Sequence, residues 1–313
     1  MFALNVILEI TLFVVIGIFI MKIGLVNANF RTQLSKFVMN VALPCLIADS
    51  LRSQTFDGSF DELLQALGLC ILTLAVLFIV GQVSYLIMGK SDLGKTTRFS
   101  TLFGNFTFIG FAVVEGLCGS EGLFMYTLFT LPVRLVFYTS PAFLLTPNGE
   151  KREKKSAKEI LKSCVSAPTV AVAVGLVLYF TGLQLPEFVD GAITSLRAMA
   201  SPLGMLICGM SLASTTPKVL WQRKKVFLVA LVRNFIAPAA VMAVLALLPL
   251  DESVKMPILV YAIVPVPSLL TTFSISLGRS DDACADASAA VFGSTILSIV
   301  TIPMWIAIAN MIL

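Results

Sequence analysis

The sequence predicts an all-α, polytopic membrane protein with ten transmembrane helices. Of its 313 residues, 58% are hydrophobic and only 13% are charged, a composition far from that of a soluble domain. Ten apolar runs are long enough to cross a bilayer, and most of the 22 Lys and Arg residues lie in alternate loops between them. The predicted spans, numbered 1 to 10, are 2–22, 34–52, 63–88, 97–118, 122–145, 160–182, 191–213, 225–249, 254–278 and 284–313.

The uneven distribution of basic residues predicts the orientation of the chain. Loops rich in Lys and Arg stay on the cytoplasmic side, so both termini are expected outside the cytoplasm of a cell (inner or plasma) membrane. Span 1 begins at Phe2, with no basic region before it and no small-residue cleavage site after it, which predicts a retained helix. The loop asymmetry accounts for the net charge of +4, so no nucleic-acid partner is expected.

A charged linker at 146–159 divides the ten spans into two groups of five. Because five is odd, the halves 1–145 and 160–313 face opposite ways, which predicts an inverted repeat. Prolines agree with this division, since Pro44 in span 2 matches Pro202 in span 7 and Pro132 in span 5 matches Pro303 in span 10.

Two spans in corresponding halves are interrupted. Span 9 contains Val264-Pro265-Val266-Pro267-Ser268, and span 4 contains Gly104-Asn105 through Gly110. Proline lacks an N–H and crowds the preceding turn, so helical backbone groups there lose their partners. Lipid cannot replace those partners, and such backbone survives at membrane depth only inside protein or beside a watery cavity. Broken, crossing helices 4 and 9 are therefore predicted to form the solute site of a transporter.

Helix N-termini that meet at such a crossing favour an anion. Asn105 can both donate and accept hydrogen bonds, and hydroxyl donors follow the proline pair. An alternative interpretation is that the glycines only permit close packing, that Asn105 pairs with a neighbouring helix, and that the hydroxyls bond their own helix. The predicted substrate-binding residues are Asn105, Thr107, Phe108, Gly110, Val264, Pro265, Val266, Pro267, Ser268 and Thr271.

Ionisable residues inside spans are costly and are functional candidates by default. Arg233 lies about eight residues beyond a basic flank, so its side chain is expected to snorkel to the interface. Arg134 is more central and is expected either at the site or as the partner of Glu115 or Asp286. The possible coupling or charge partners are Asp49, Glu115, Arg134, Arg233 and Asp286.

The residue inventory restricts the chemistry. The chain has no histidine, and its six cysteines are scattered without a CxxC pair. This excludes histidine metal sites, a histidine proton relay and Ser-His-Asp catalysis. We therefore expect no enzyme activity, no bound metal and no cofactor, apart from possible Na⁺ or H⁺ coupling.

Motifs along the whole chain carry a family resemblance. They are Ala42-Leu43-Pro44, Gly104-Asn105 with Phe108-Ile109-Gly110, Ala167-Pro168 with Gly175-Leu176, the string from Pro202 to Leu212, Arg233 with Pro238, and Leu297-Ser298 with Ile302-Pro303. In order and spacing these motifs resemble the auxin efflux carrier family, which includes the plant PIN-FORMED carriers and bacterial permeases for malate and similar acids.

The resemblance implies a fold similar to that of the bile-acid symporters. Spans 1, 2, 6 and 7 would form a scaffold that often dimerises, and spans 3–5 and 8–10 would form a mobile transport domain with an elevator motion. Asn105 and the Pro265–Pro267 break would cradle a substrate carboxylate. Ala112 stands where the family usually has proline, and the short central loop favours a prokaryotic acid permease over a hormone carrier.

The leading hypothesis is a secondary transporter, a permease or efflux carrier, of a small mono- or dicarboxylate. Its expected partners are that substrate, the lipid bilayer and a second copy of the chain bound through the scaffold helices. One alternative is a Na⁺- or H⁺-coupled symporter of the bile-acid type. The other is a transporter-like membrane sensor without flux.

Overall fold

The computed structural model describes residues 2–54, 60–146, 166–213 and 223–313, and within these ranges it contains helices and no strand. These residues include three five-residue π-helical turns: Val38–Ala42 and Val232–Ile236 each join two α-helices, and Phe106–Gly110 begins the helix that continues as α6. The α-helices are α1 (Phe2–Lys22), α2 (Ala28–Phe37), α3 (Leu43–Arg52), α4 (Asp61–Ile87), α5 (Asp92–Leu102), α6 (Phe111–Thr139), α7 (Pro141–Leu144), α8 (Ala167–Thr181), α9 (Glu187–Arg197), α10 (Ala200–Ala213), α11 (Val226–Leu231), α12 (Ala237–Leu247), α13 (Glu252–Ile263), α14 (Leu270–Ser276) and α15 (Asp281–Ile312).

Several helical stretches are long and apolar enough to cross a membrane. Within the described residues there are six of them, and a shorter apolar helix, α8, accompanies them. Many large apolar side chains remain exposed on the outer faces, as expected where lipid replaces water. The all-α polytopic class is thus confirmed. The six stretches are Ala28–Arg52, Asp61–Ile87, Asp92–Thr139, Glu187–Ala213, Val226–Leu247 and Asp281–Ile312.

Some predicted boundaries agree with the observed ones and others differ. Within α6 the helix is interrupted at Gly119, in the loop predicted between spans 4 and 5, where φ is +62° and ψ is −153°. Glycine adopts this backbone conformation without the steric cost that a Cβ would impose. The rings of Phe111 and Tyr126 lie 5.1 Å apart, so the two segments of α6 pack against each other. Span 7 is divided into α9 and α10. The linker beyond Thr146 and the start of span 6 lie outside the described residues.

Both predicted interruptions are present. Helix α13 ends at Ile263, and Val264 is extended with φ −69° and ψ 148°, because a residue that precedes proline is pushed out of the helical region. Helix α5 ends at Leu102, and Phe103 is likewise extended without a proline nearby. The helix that begins at Phe106 then continues through the π-helical turn into α6.

Small residues bring helices from the two halves of the chain together. Helices α1 and α10 pack closely at Gly17, whose Cβ position would lie 3.1 Å from the Cα of Gly209 and against the carbonyl of Leu206. Helices α3 and α8 also pack together, where the same position on Gly175 would lie 2.7 Å from a methyl group of Leu51. Spans 1 and 7 and spans 2 and 6 are therefore neighbours.

Candidate functional site

The two helix interruptions contact each other through their backbones. The N–H of Asn105 donates a hydrogen bond to the carbonyl of Pro265 at 2.7 Å. The N–H of Val266 donates to the hydroxyl of Ser294 in α15 at 3.1 Å. Val264 and Val266 are completely buried. Polar backbone that leaves its helix thus finds partners inside the protein, as membrane depth requires.

Arg233 holds the ends of two helices. Its guanidinium donates from Nε to the carbonyl of Val264 at 2.8 Å, from Nη1 to that of Thr101 at 2.9 Å and from Nη2 to that of Tyr261 at 2.8 Å. These carbonyls lie at the C-terminal ends of α5 and α13, where helices leave acceptors unpaired and carry partial negative charge.

The snorkelling predicted for Arg233 is therefore wrong. The side chain has no exposed surface, and it lies within the protein in contact with both interruptions. At the interface the guanidinium would bind water, but three buried carbonyls would then lose their donors, which is unfavourable. Arg233 with Pro238 was a signal in the sequence, but the partners were missed, because a backbone carbonyl has no residue-specific signature.

Two further contacts complete this junction. The hydroxyl of Tyr261 donates to the carbonyl of Leu102 at 2.8 Å, which joins α13 to α5 a second time. A Cβ on Gly104 would overlap Nη2 of Arg233 and would lie 2.6 Å from a methyl group of Val264. Glycine at position 104 is thus what lets the guanidinium approach the broken backbone.

The Asn105 side chain starts the second half of its interrupted helix. Its Oδ1 accepts the N–H of Phe108 at 3.3 Å, which is an N-terminal cap. Its Nδ2 lies 3.7 Å from Sγ of Cys208 in α10. In this conformation Asn105 therefore caps the restarted helix and contacts a neighbouring helix, as the alternative interpretation predicted. It also lines the cavity described next.

A small cavity lies where the two interruptions meet. Its volume is about 20 Å³, room for about one water molecule. None of the side chains that line it carries a charge, and the helix beginning at Phe106 opens onto it with the partial positive charge of an N-terminus. The lining residues are Met39, Gly104, Asn105, Phe106, Thr107, Phe108, Phe137, Pro267, Ser268 and Leu269.

The cavity collects half of the predicted substrate-binding residues. Asn105, Thr107, Phe108, Pro267 and Ser268 line it. The remaining five lie around it, outside the lining. A Cβ on Gly110 would meet the Tyr126 hydroxyl, Thr271 accepts a hydrogen bond from Ser288 at 3.3 Å, and Val264, Pro265 and Val266 form the buried backbone of the junction.

The acidic candidates Asp49 and Glu115 belong to one ion-pair network away from the cavity lining. Asp49 pairs with Arg52 and with Arg197 at the end of α9. Arg197 also pairs with Glu115 of α6 at 3.2 Å, and the hydroxyl of Ser201 donates to Glu115. This network links α3, α6 and the α9–α10 junction.

Asp286 has a different partner. Its carboxylate pairs with Nη1 of Arg223 at 2.7 Å, and Asp282 pairs with Nη2 at 2.7 Å. These hydrogen bonds raise the pKa of Arg223, and the one to Asp282 contributes more than the one to Asp286. The prediction that Glu115 or Asp286 pairs with Arg134 is therefore wrong, because both acids are paired with other arginines.

We expect Glu115→Gln to lower the free energy of unfolding by up to about 1 kcal/mol. The Glu115 and Arg197 side chains are about one quarter exposed, so solvent screens the lost ion pair. Thermal unfolding in detergent at low and high salt measures the effect, with the exposed Glu9→Gln as control. Equal melting temperatures for the two variants at low salt would contradict the stabilising role of this pair.

Known proteins are similar to this chain over nearly its full length. A family model described as "Membrane transport protein" matches residues 2–306. A Methanothermobacter thermautotrophicus protein named "Uncharacterized transporter" is 29% identical over 96% of each chain. A protein of Methanocaldococcus jannaschii with a similar name is 24% identical, covering 97% of this chain and 98% of its own.

These matches agree with the geometry of the site and confirm the resemblance stated from the motifs. Helices that stop and restart within a membrane protein, with their free ends joined by buried hydrogen bonds, are typical of transporters. Proteins of this kind are generally not enzymes. The chain therefore belongs to the membrane transport protein family, that of the auxin efflux carriers.

Proposed function

We propose that this protein is a secondary transporter of a small organic anion, a mono- or dicarboxylate, which binds between Asn105 and Ser268. The observation that carries the proposal is the meeting of two helix interruptions at a cavity that has polar groups but no acidic side chain in its lining. The helix beginning at Phe106 directs its N-terminal partial charge to this place, and the amide of Asn105 and the hydroxyls of Thr107 and Ser268 offer hydrogen bonds.

The proposal includes the finer architecture predicted from the sequence. Ten spans would form two inverted repeats of five helices, in a cell membrane with both termini outside the cytoplasm. The packing of α1 on α10 and of α3 on α8 supports a scaffold made of spans 1, 2, 6 and 7. The hydrogen bond from Asn105 to Pro265 supports a transport domain that contains both interruptions.

An elevator motion would open the cavity. Met39 belongs to the proposed scaffold, whereas Asn105 and Ser268 belong to the proposed transport domain, so the cavity lies on their common boundary. Room for about one water is too small for a carboxylic acid. Sliding of one domain along the other would separate Met39 from the two interruptions and enlarge the site.

We expect Asn105→Ala to reduce transport at least about tenfold, because the cap of the helix at Phe106 and a hydrogen-bonding group of the cavity are both lost. The measurement is the initial rate of uptake of labelled malate, succinate or benzoate into vesicles containing purified protein, with and without Na⁺ or proton gradients. Asn40→Ala is the matched control, since Asn40 is exposed and its amide donates to the carbonyl of Lys36 on its own helical turn.

Unchanged flux in Asn105→Ala, with flux present in the wild type, would contradict the assignment of the site. Binding of an acid without flux in any gradient would contradict transport and favour a sensor.

A further inference from the structure

Arg134 of α6 is a buried cation with unsatisfied donors. The residue is 3% exposed, and both Nε and Nη2 lack a hydrogen-bond partner. In the part of the chain that the structure describes, no carboxylate pairs with it. A buried charge without a partner is strongly unfavourable and is rarely retained within membrane spans without a function.

Arg233 is also buried, but its donors have partners. Its Nε, Nη1 and Nη2 all donate to backbone carbonyls, so the fold itself explains why an arginine is buried there. The surroundings of Arg134 include the rings of Phe106 and Phe111, with their centroids 5.5 Å and 5.4 Å from Cζ. Aromatic faces attract a cation but do not replace hydrogen-bond acceptors for its N–H groups.

Arg134 lies directly behind an aromatic wall of the cavity. Phe106 lines the cavity and contacts Phe137, with 5.4 Å between ring centroids. Phe137 also lines the cavity and follows Arg134 by one turn on α6. The cavity lining carries no charge, so an anion bound there would lie next to a cation separated from it by one ring.

The two unpaired donors of Arg134 are arranged to bind one specific kind of ligand. Nε and Nη2 form one edge of the planar guanidinium, and their N–H bonds are parallel. Such an edge matches the two oxygens of a single carboxylate, which it binds in a bidentate manner.

We propose that Arg134 makes the site selective for anions and that its Nε–Nη2 edge binds a substrate carboxylate when the ring of Phe106 turns aside. This inference rests on the proposed function and adds a residue that the cavity lining does not include. Asn105 and the helix end recognise a polar group, whereas Arg134 supplies the formal charge that distinguishes a carboxylate from a neutral analogue.

The test compares malate with malamide, its neutral diamide, on purified wild type and Arg134→Gln. Ligand-dependent shifts of the melting temperature give the dissociation constants. We expect the affinity of Arg134→Gln for malate to fall at least tenfold and its affinity for malamide to stay within twofold of the wild type. Because the substitution removes an unpaired buried charge, the ligand-free variant should melt at or above the wild-type temperature.

Other outcomes overturn the inference in distinguishable ways. Equal malate affinity in the wild type and Arg134→Gln rejects the role of Arg134 and leaves the proposed function standing. Equal loss of both ligands with a lower melting temperature assigns Arg134 a structural role. A wild type that binds none of malate, succinate and benzoate rejects both proposals.

If Arg134→Gln does not fold, Arg134→Lys decides, because lysine keeps the charge and loses the bidentate edge. Weaker malate binding with unchanged malamide binding supports the inference, and wild-type affinity for malate overturns it.

Discussion

Replacing Arg233 by glutamine is expected to destabilise the protein by at least about 3 kcal/mol. The guanidinium donates to the carbonyls of Val264, Thr101 and Tyr261, all of them buried. Glutamine is shorter and cannot reach all three, and each buried acceptor left without a donor costs about 1–3 kcal/mol. The loss also removes the positive charge that faces two helix C-termini.

Unfolding of purified protein in mixed micelles, followed by helicity as the denaturing detergent increases, measures this effect. Arg134→Gln is the matched control, because it removes a buried arginine that bonds none of these carbonyls. The two variants should differ by at least about 3 kcal/mol in free energy of unfolding, since each carbonyl left unpaired costs about 1–3 kcal/mol. Similar losses in both would mean that burial of any arginine, and not the capping of α5 and α13, stabilises the fold.

Substituting Gly104 by alanine is expected to cost about 1–3 kcal/mol and to weaken carboxylate binding. The added Cβ would overlap Nη2 of Arg233 and would lie 2.6 Å from a methyl group of Val264. Neither neighbour can move freely, because the guanidinium is bonded to three carbonyls and Val264 is completely buried. Insertion of a methyl group into packed surroundings therefore shifts the backbone of the interruption.

Gly68→Ala provides the control for this substitution. Gly68 lies within α4, and a Cβ there would meet no atom within 4 Å. Alanine favours a helix over glycine, so this variant should be as stable as the wild type or more stable by up to about 1 kcal/mol. Melting temperatures with and without malate test both variants. A Gly104→Ala protein that melts and binds malate as the wild type does would contradict the close approach of Arg233 as the reason for this glycine.

The interruptions could be found in the sequence because their causes are local. Proline at 265 and 267 alters the backbone of its own residue and of the one before, whatever the rest of the chain does. The N-terminal cap formed by Asn105 is local too, since its acceptor reaches an N–H three residues on. The family was recognisable from the sequence as well, because its motifs occur in order along the chain.

The pairing of charged side chains could not be found in this way. One of the two places expected for Arg134 was beside Glu115 or Asp286, but these acids pair with Arg197 and Arg223. The presence of opposite charges in a sequence does not tell how far apart they lie in the folded protein, and the same charged residues can be paired in several ways. Arg233 was placed at the interface because of its basic flank, and the carbonyls that bind it instead belong to residues without any charge.

The sequence by itself determined the class of the protein, the places where its helices break and the family to which it belongs. These follow from apolar length, from the missing N–H of proline and the cap formed by Asn105, and from motifs in order along the chain. Only the tertiary structure decided which groups meet at the breaks. One buried arginine finds three carbonyls there and another keeps two donors unpaired, since hydrogen-bond partners are set by distances between helices far apart in the chain.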